Sequence, residues 1–257
     1  NPSLNYLSKK YKKIVPVFIL DEVNCDRKLG SASKIWLHHS LLNLNDKIKN
    51  KLLIFSGDPH SIFKKIMGSL DISEISWNRC YEPWRIKRDT NLKNHLKEKV
   101  KINSFNSSLL WEPWEILKND GTPYKIFTPF YQRGCLNYKL PRKPESRSIE
   151  FFDHKIDSLN VYDLKLLENR EWEKNTIRHW NIGESDALKI MDNFFSNGIQ
   201  DYTDGRNFPI KKNVSRLSPY LHWGQISPNT LWYEVDNYKK DVSGNNIDIF
   251  KGKLSKY

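Results

Sequence analysis

Cysteine is scarce in this chain of 257 residues: Cys25, Cys80 and Cys135 stand far apart, are odd in number and include no C-x-x-C pair. That argues against a disulfide framework or a cysteine zinc site and fits a reducing cytosol. No apolar run approaches the roughly 20 residues that span a membrane, and no signal peptide precedes the first strand-like segment. A cytoplasmic protein without a membrane partner is expected. Neither G-x-G-x-x-G nor a Walker A loop occurs, so no motif marks the first half as nucleotide-binding. His38, His39 and His222 have no carboxylate or cysteine at ligand spacing, which favours packing roles, and no metal is expected. Acidic residues are in deficit. Against 42 Lys+Arg stand 30 Asp+Glu, a formal charge of +12, which favours a polyanionic partner such as nucleic acid. A general lysine and asparagine bias (NDKIKNK, KNHLKEKVK) is the competing explanation of the same charge.

The first part alternates strand-like and helix-like segments. IVPVFIL (14–20) is an apolar run ending at Asp21, as a buried parallel strand does before its functional loop. Leu37, Leu41, Leu44 and Ile48 then recur at helical spacing in a segment that begins near Gly30 and Ser31. LLIFSG (52–57) predicts a second strand, and Asp58-Pro59 the N-cap and first residue of a short helix closed by Gly68. ISEISWN predicts a third strand, a helix with Leu92, Leu96 and Val100 on one face follows, and VKINSF predicts a fourth strand. This order implies an α/β fold with a doubly wound, Rossmann-like parallel sheet. From residue 129 to 183 the chain loses periodicity and is expected to connect two domains. Beyond it, Ala187, Leu188, Met191, Phe194 and Phe195 mark one face of a helix capped by Gly198. The expected division is therefore an α/β domain over 1–128, a connector over 129–183 and the start of an all-helical domain over 184–257.

GRNFPIKKNVSRLSPYLHWGQISP (205–228) holds two Ser-Pro pairs. Serine accepts from the orphan amides of a first helical turn and proline lacks the amide there, so Ser218-Pro219 and Ser227-Pro228 predict two successive helix starts. Free amides and the positive dipole end also make such a start an anion site. A phosphorylated ligand suits it.

GSASKIWLHHSL (30–41), NRCYEPWRIKRD (78–89), PYKIFTPFYQRG (123–134) and YTDGRNFPIKKNVSRLSPYLHWGQISP (202–228) together resemble the DNA photolyase and cryptochrome family. The four blocks stand in the family's order across nearly the whole chain. The resemblance implies that FAD is held in the helical domain by Tyr202, Ser215, Arg216, Leu217 and Ser218, and that Arg206 meets a DNA phosphate. A structural ion pair explains Arg206 equally well. Val214 stands where the family usually has threonine, which removes one hydroxyl donor. An antenna chromophore, folate or deazaflavin, would sit in the α/β domain near Lys34 and the loop Phe55-Ser56-Gly57-Asp58; a solvated lysine and a plain strand-to-helix turn is the simpler alternative. The implied activity is light-driven splitting of pyrimidine dimers by an electron from reduced FAD, acting on ultraviolet-damaged DNA as a monomer. A cryptochrome-type light sensor shares every block, and a generic basic binding module is a third class. The resemblance also implies that the family's first strand precedes Asn1 and that its electron-relay tryptophans follow Tyr257.

Overall fold

Apolar runs separated by amphipathic segments build a parallel α/β unit at the start of the chain. The computed structural model describes residues 1–153, 156–241 and 244–256. Two units divide the chain, 1–107 with 146–183 and 108–145 with 184–257. The first contains α1 (Pro2–Lys10), β1 (Val17–Leu20), α2 (Ser31–Lys47), β2 (Leu53–Ser56), α3 (Pro59–Ser69), β3 (Glu74–Asn78), α4 (Pro83–Leu96) and β4 (Lys101–Phe105). β1 pairs in parallel with β2, from Val17 opposite Leu53 to Leu20 opposite Ser56. β3 pairs in parallel with β4, from Glu74 opposite Lys101 to Asn78 opposite Phe105. All four strands fall within the segments the sequence predicts. In place of one doubly wound sheet, however, the described residues form two separate two-stranded sheets, so β1 and β3 each keep one edge without a ladder partner.

Local signals set the helices around these strands. The Asp58 carboxylate accepts from the Ser61 amide at 3.0 Å, with Pro59 opening α3, as an N-cap followed by proline should. α2 buries Ile35, Trp36, Leu37, His38 and Leu41. Leu44, expected on that face, is 45% exposed. Ile75, Leu92, Leu96 and Val100 form one core cluster and Leu53, Phe55 and Ile66 another, with Phe63 and Ile72 packed against both.

The predicted connector is divided between the two units. Residues 146–183 return to the α/β unit: the Leu159 amide donates to the Ile54 carbonyl at 2.9 Å, and Val161, Leu164 and Leu166 are buried. α6 (Glu171–Arg178) follows after the single turn α5 (Phe127–Pro129) of the other unit, and Trp180 sits edge-on to Trp36 at 5.3 Å. Residues 108–128, expected with the α/β domain, belong instead to the second unit. Trp111 is buried there, edge-on to Trp232 at 5.4 Å. Isolated apolar residues without a period gave no sign of which partner they pack against.

The second unit also contains α7 (Glu184–Asn193), α8 (Tyr202–Gly205), α9 (Ser218–His222), α10 (Pro228–Glu234) and α11 (Gly244–Leu254). No strand occurs among the described residues from 184 onward. α7 buries Ala187 and Met191, then passes into a π-helical turn, Phe194–Gly198, that buries both phenylalanines. Leu188 lies at the edge of this stripe and is 39% exposed. α10 holds the incoming segment by two side chains, Asn229 Nδ2 donating to the Arg142 carbonyl at 2.8 Å and Tyr233 Oη to the Pro141 carbonyl at 2.5 Å. No helix among the described residues is long and apolar enough to cross a membrane.

Candidate functional site

The aromatic end of α7 supports the candidate site. Tyr202, the first residue of α8, stands edge-on to Phe194 at 5.7 Å and to Phe250 of α11 at 5.6 Å. Such edge-to-face geometry fixes the tyrosine ring more firmly than burial alone does. One turn later the Arg206 guanidinium lies 5.5 Å from the centre of the Tyr202 ring. Its Nε is buried and has no hydrogen-bond partner among the described residues. Asn246 locks α8 to α11 by accepting from Thr203 N at 3.0 Å and Thr203 Oγ1 at 2.5 Å.

Asn213 joins α8 to the turn that carries the remaining sequence-predicted residues. Its Nδ2 donates to the Gly198 carbonyl at 2.8 Å, and its side chain lies directly against Gly205. Beyond it, Ser215 is half-buried and its Oγ accepts from the Leu217 amide at 3.4 Å. Arg216 turns the chain with φ 55°, a left-handed conformation that costs a residue with a Cβ about 1 kcal/mol. Leu217 is 1% exposed, so only its backbone can face a ligand.

The predicted N-cap at Ser218 is corrected by the structure. Leu217 occupies the cap of α9 and Ser218 is already the first helical residue, with no side-chain cap bond. Arg216 makes the reversal one residue early, which leaves the exposed Ser218 hydroxyl free of capping duty. Ser227 does cap, its Oγ accepting from the Thr230 amide at 3.0 Å. Gly224, at φ 70°, ends the short α9 between the two starts. Val214 is half-exposed and offers no donor.

Arg206, beside Tyr202, acts together with Lys256 on the charge of Lys253. The Lys253 ammonium is held below its usual pKa by burial first, then by the positive charges of Arg206 and Lys256. Lys256 Nζ in turn sits 4.8 Å over the Phe127 ring. Neighbouring like charges of this kind favour an anion nearby. The sequence did not single out Lys253 or Lys256, since GKLSK differs in nothing from the other lysine-rich stretches. Tyr220, fully buried, is pushed up by burial and the Asp186 carboxylate against an opposing effect of Arg216.

Donor hydroxyls at Ser215 and Ser218 and the amides opening α9 are groups suited to phosphate oxygens. The residues present therefore fit the pyrophosphate of a dinucleotide. In the α/β unit, the Asp21 carboxylate accepts from Val23 N and Asn24 N and pairs with Arg88 at 3.4 Å. Asn24 Nδ2 reaches Asp58 Oδ1 at 3.2 Å, tying together the loops that follow β1 and β2. Lys34 is half-buried nearby in sequence at the start of α2. Among the described residues no group of histidine, cysteine and acidic side chains has the arrangement of a metal site.

Comparison with known proteins places these features in a family. The family model described as DNA photolyase matches residues 1–148. A deoxyribodipyrimidine photo-lyase of Agrobacterium fabrum is 31% identical over 94% of this chain and 51% of its own length. Cryptochrome-2 of Arabidopsis thaliana is 28% identical over 83% of this chain and 37% of its own. The chain thus spans about half the length, or less, of these relatives. Among solved structures, a class III photolyase from Agrobacterium tumefaciens superposes with a TM-score of 0.92 at 29% identity, covering 99% of this chain and 54% of that one. A Synechocystis cryptochrome, at 18% identity and a TM-score of 0.84 over 99% of this chain and 56% of that one, shares the fold. With a family model matched over more than half its residues, the chain belongs to the DNA photolyase family.

Proposed function

We propose that this chain is the α/β portion and the phosphate-holding portion of a flavoprotein that repairs pyrimidine dimers in DNA with light. The observation that carries this reading is the turn Ser215–Ser218, where Arg216 reverses the chain at φ 55° and the exposed Ser218 hydroxyl serves no cap, in a chain of the photolyase family. Ser215 and Ser218 would hold FAD phosphate oxygens through their hydroxyls and Leu217 through its backbone. Tyr202, fixed by Phe194 and Phe250, would bound the same site, and Arg216 would add positive potential. The chemistry that bound, reduced FAD supplies is light-driven donation of one electron to the dimer. This chain's own residues position and exclude; none is asked to act as nucleophile, acid or base. Arg206 would meet a backbone phosphate of the damaged strand, whose dimer pairs poorly and so leaves the stack at a lower cost.

A folate or deazaflavin antenna beside Lys34 and residues 55–58 is part of the same proposal, motivated by the carboxylate and amide groups gathered after β1 and β2. A Sulfolobus tokodaii photolyase, similar in fold with a TM-score of 0.74 at 22% identity, is described with two FAD molecules. A cryptochrome-type sensor uses the same flavin site without repair, and the match to plant cryptochromes favours keeping it as the alternative. The deciding experiment uses the complete protein that contains this chain. It should purify with flavin absorbance and remove cyclobutane dimers from an irradiated oligonucleotide only in light. Flavin without dimer loss would identify the sensor, and loss of flavin itself would overturn both.

A further inference from the structure

Two histidines outside the site described above meet on the surface of the α/β unit. His60 is the second residue of α3 and His95 the last but one of α4. They are far apart in sequence, so no ligand motif announces them. Both are exposed, and their ring centres stand 5.0 Å apart with the ring planes at 61°. Phe63 of α3 packs against the cluster that holds Leu92 and Leu96 of α4, so the apolar contact between these helices does not need the two imidazoles.

One hydrogen bond fixes the chemistry of His95. Its Nδ1 lies 2.7 Å from the Asn91 carbonyl oxygen, one turn back on α4. A carbonyl oxygen only accepts, so Nδ1 carries the hydrogen and, in the neutral ring, Nε2 holds the lone pair. One ring nitrogen donating to a backbone carbonyl and the other left as a base is the usual setting of a metal-binding histidine. His60 is held from its backbone: the Asp58 carboxylate that caps α3 accepts from the amides of Ser61 and His60, and Pro59 restricts φ just before it. Among the described residues no hydrogen bond engages the His60 ring or Nε2 of His95.

The spacing suits a shared cation. Metal–nitrogen bonds of about 2.0–2.1 Å that meet at a square or tetrahedral angle place the centres of two imidazole rings roughly 4.5–5.2 Å apart. The observed 5.0 Å lies in that range. An aromatic edge contact gives the same spacing, so the distinguishing feature is the uncommitted Nε2 of His95. We propose that His60 and His95 form a two-histidine site for a divalent late transition metal, the nickel, copper and zinc class that imidazole favours. No third histidine, cysteine or acidic side chain joins the pair among the described residues, so water completes the coordination and the ion stays exchangeable. Magnesium and calcium, which take oxygen ligands, do not bind here. The bound ion ties the first turn of α3 to the last turn of α4 and stabilises the α/β unit by mass action.

The test uses the untagged 257-residue chain with nickel chloride as the probe, because copper(II) would also oxidise the partly exposed Cys25 and Cys80. Calorimetric titration should give one nickel ion per chain. His60→Ala and His95→Ala should each weaken binding by about tenfold or more, whereas His222→Ala, in the other unit, should leave it unchanged. Nickel should raise the melting temperature of the parent and of His222→Ala but of neither single variant, and magnesium chloride should raise none. In the parent, independently of any variant, paramagnetic nickel should broaden the ring NMR signals of His60 and His95 before those of the other histidines. No binding at millimolar nickel overturns the proposal, as does binding retained by both single variants, or broadening that begins at another histidine. The two rings then make an aromatic contact only.

Discussion

Gly205 lies so close to Asn213 that a methyl group on it would stand 2.7 Å from the asparagine Cβ. The same asparagine amide holds the Gly198 carbonyl at 2.8 Å, so α8, the π-helical turn and the 213–218 turn share one contact. Gly205→Ala should therefore destabilise by overpacking, about 1–3 kcal/mol, and should displace the Asn213 bond as well. Urea denaturation of the variant checks this. A midpoint unchanged from the parent would mean that Asn213 swings away without cost and does not hold the turn.

The two Ser-Pro pairs separate by structure into one cap and one spare hydroxyl. Ser227→Ala should cost about 1 kcal/mol, the usual loss for an N-cap, because its Oγ serves the Thr230 amide. Ser218→Ala, at an exposed hydroxyl without cap duty, should stay within roughly 0.5 kcal/mol of the parent. Its effect should appear instead as weaker flavin binding in the complete protein. Equal stability losses at the two serines would refute the assignment.

Much of the fold was legible because its signals are local. Asp58-Pro59 announced α3, and four apolar runs announced four strands. Ser218 was misread by one residue because Arg216, a residue with no turn propensity of its own, adopts positive φ. Residues 108–128 and 146–183 were misplaced for a different reason. Their anchors, Trp111 on Trp232 and Leu159 on Ile54, are single long-range contacts that leave no period in the sequence. Lys253 and Lys256 were hidden by abundance: in a chain with 42 basic residues, nothing in the sequence separates them from a solvated surface.

Glu74, at the start of β3, carries the clearest pH prediction. Burial alone would raise its carboxyl, but donors from Lys10, Tyr11, Tyr6 and Asn103 outweigh it and hold the pKa at about 2, from an ordinary 4.5. A folded-state pKa below the unfolded one adds stability that is complete above about 4.5 and lost as pH falls toward 2. Glu74→Gln should thus destabilise at neutral pH by roughly 2 kcal/mol, with the difference shrinking as acid is added. Denaturation midpoints measured from pH 7 to 3 test the sign: a gap that widens in acid would show that the Lys10 pair contributes nothing.

Arg206 and Lys253 offer a test of anion binding that needs no catalysis. Lys253 is depressed below 10.5 by burial, then by Arg206 and Lys256; removing either neighbouring cation must let it recover. In Arg206→Gln the Lys253 ammonium should titrate at higher pH than in the parent, followed by isotope-edited NMR of the lysine side chain. Inorganic pyrophosphate bound beside Arg206 should raise it in the parent too, since a nearby anion favours the charged ammonium. Both responses should also weaken with added salt if the groups face solvent. In the complete protein Arg206→Gln should lower the slope of log affinity for DNA against log salt by about one, the signature of a single lost phosphate contact. A Lys253 titration indifferent to both Arg206 and pyrophosphate would mean that the three cations act separately, and the case for an anion beside them would fall with it.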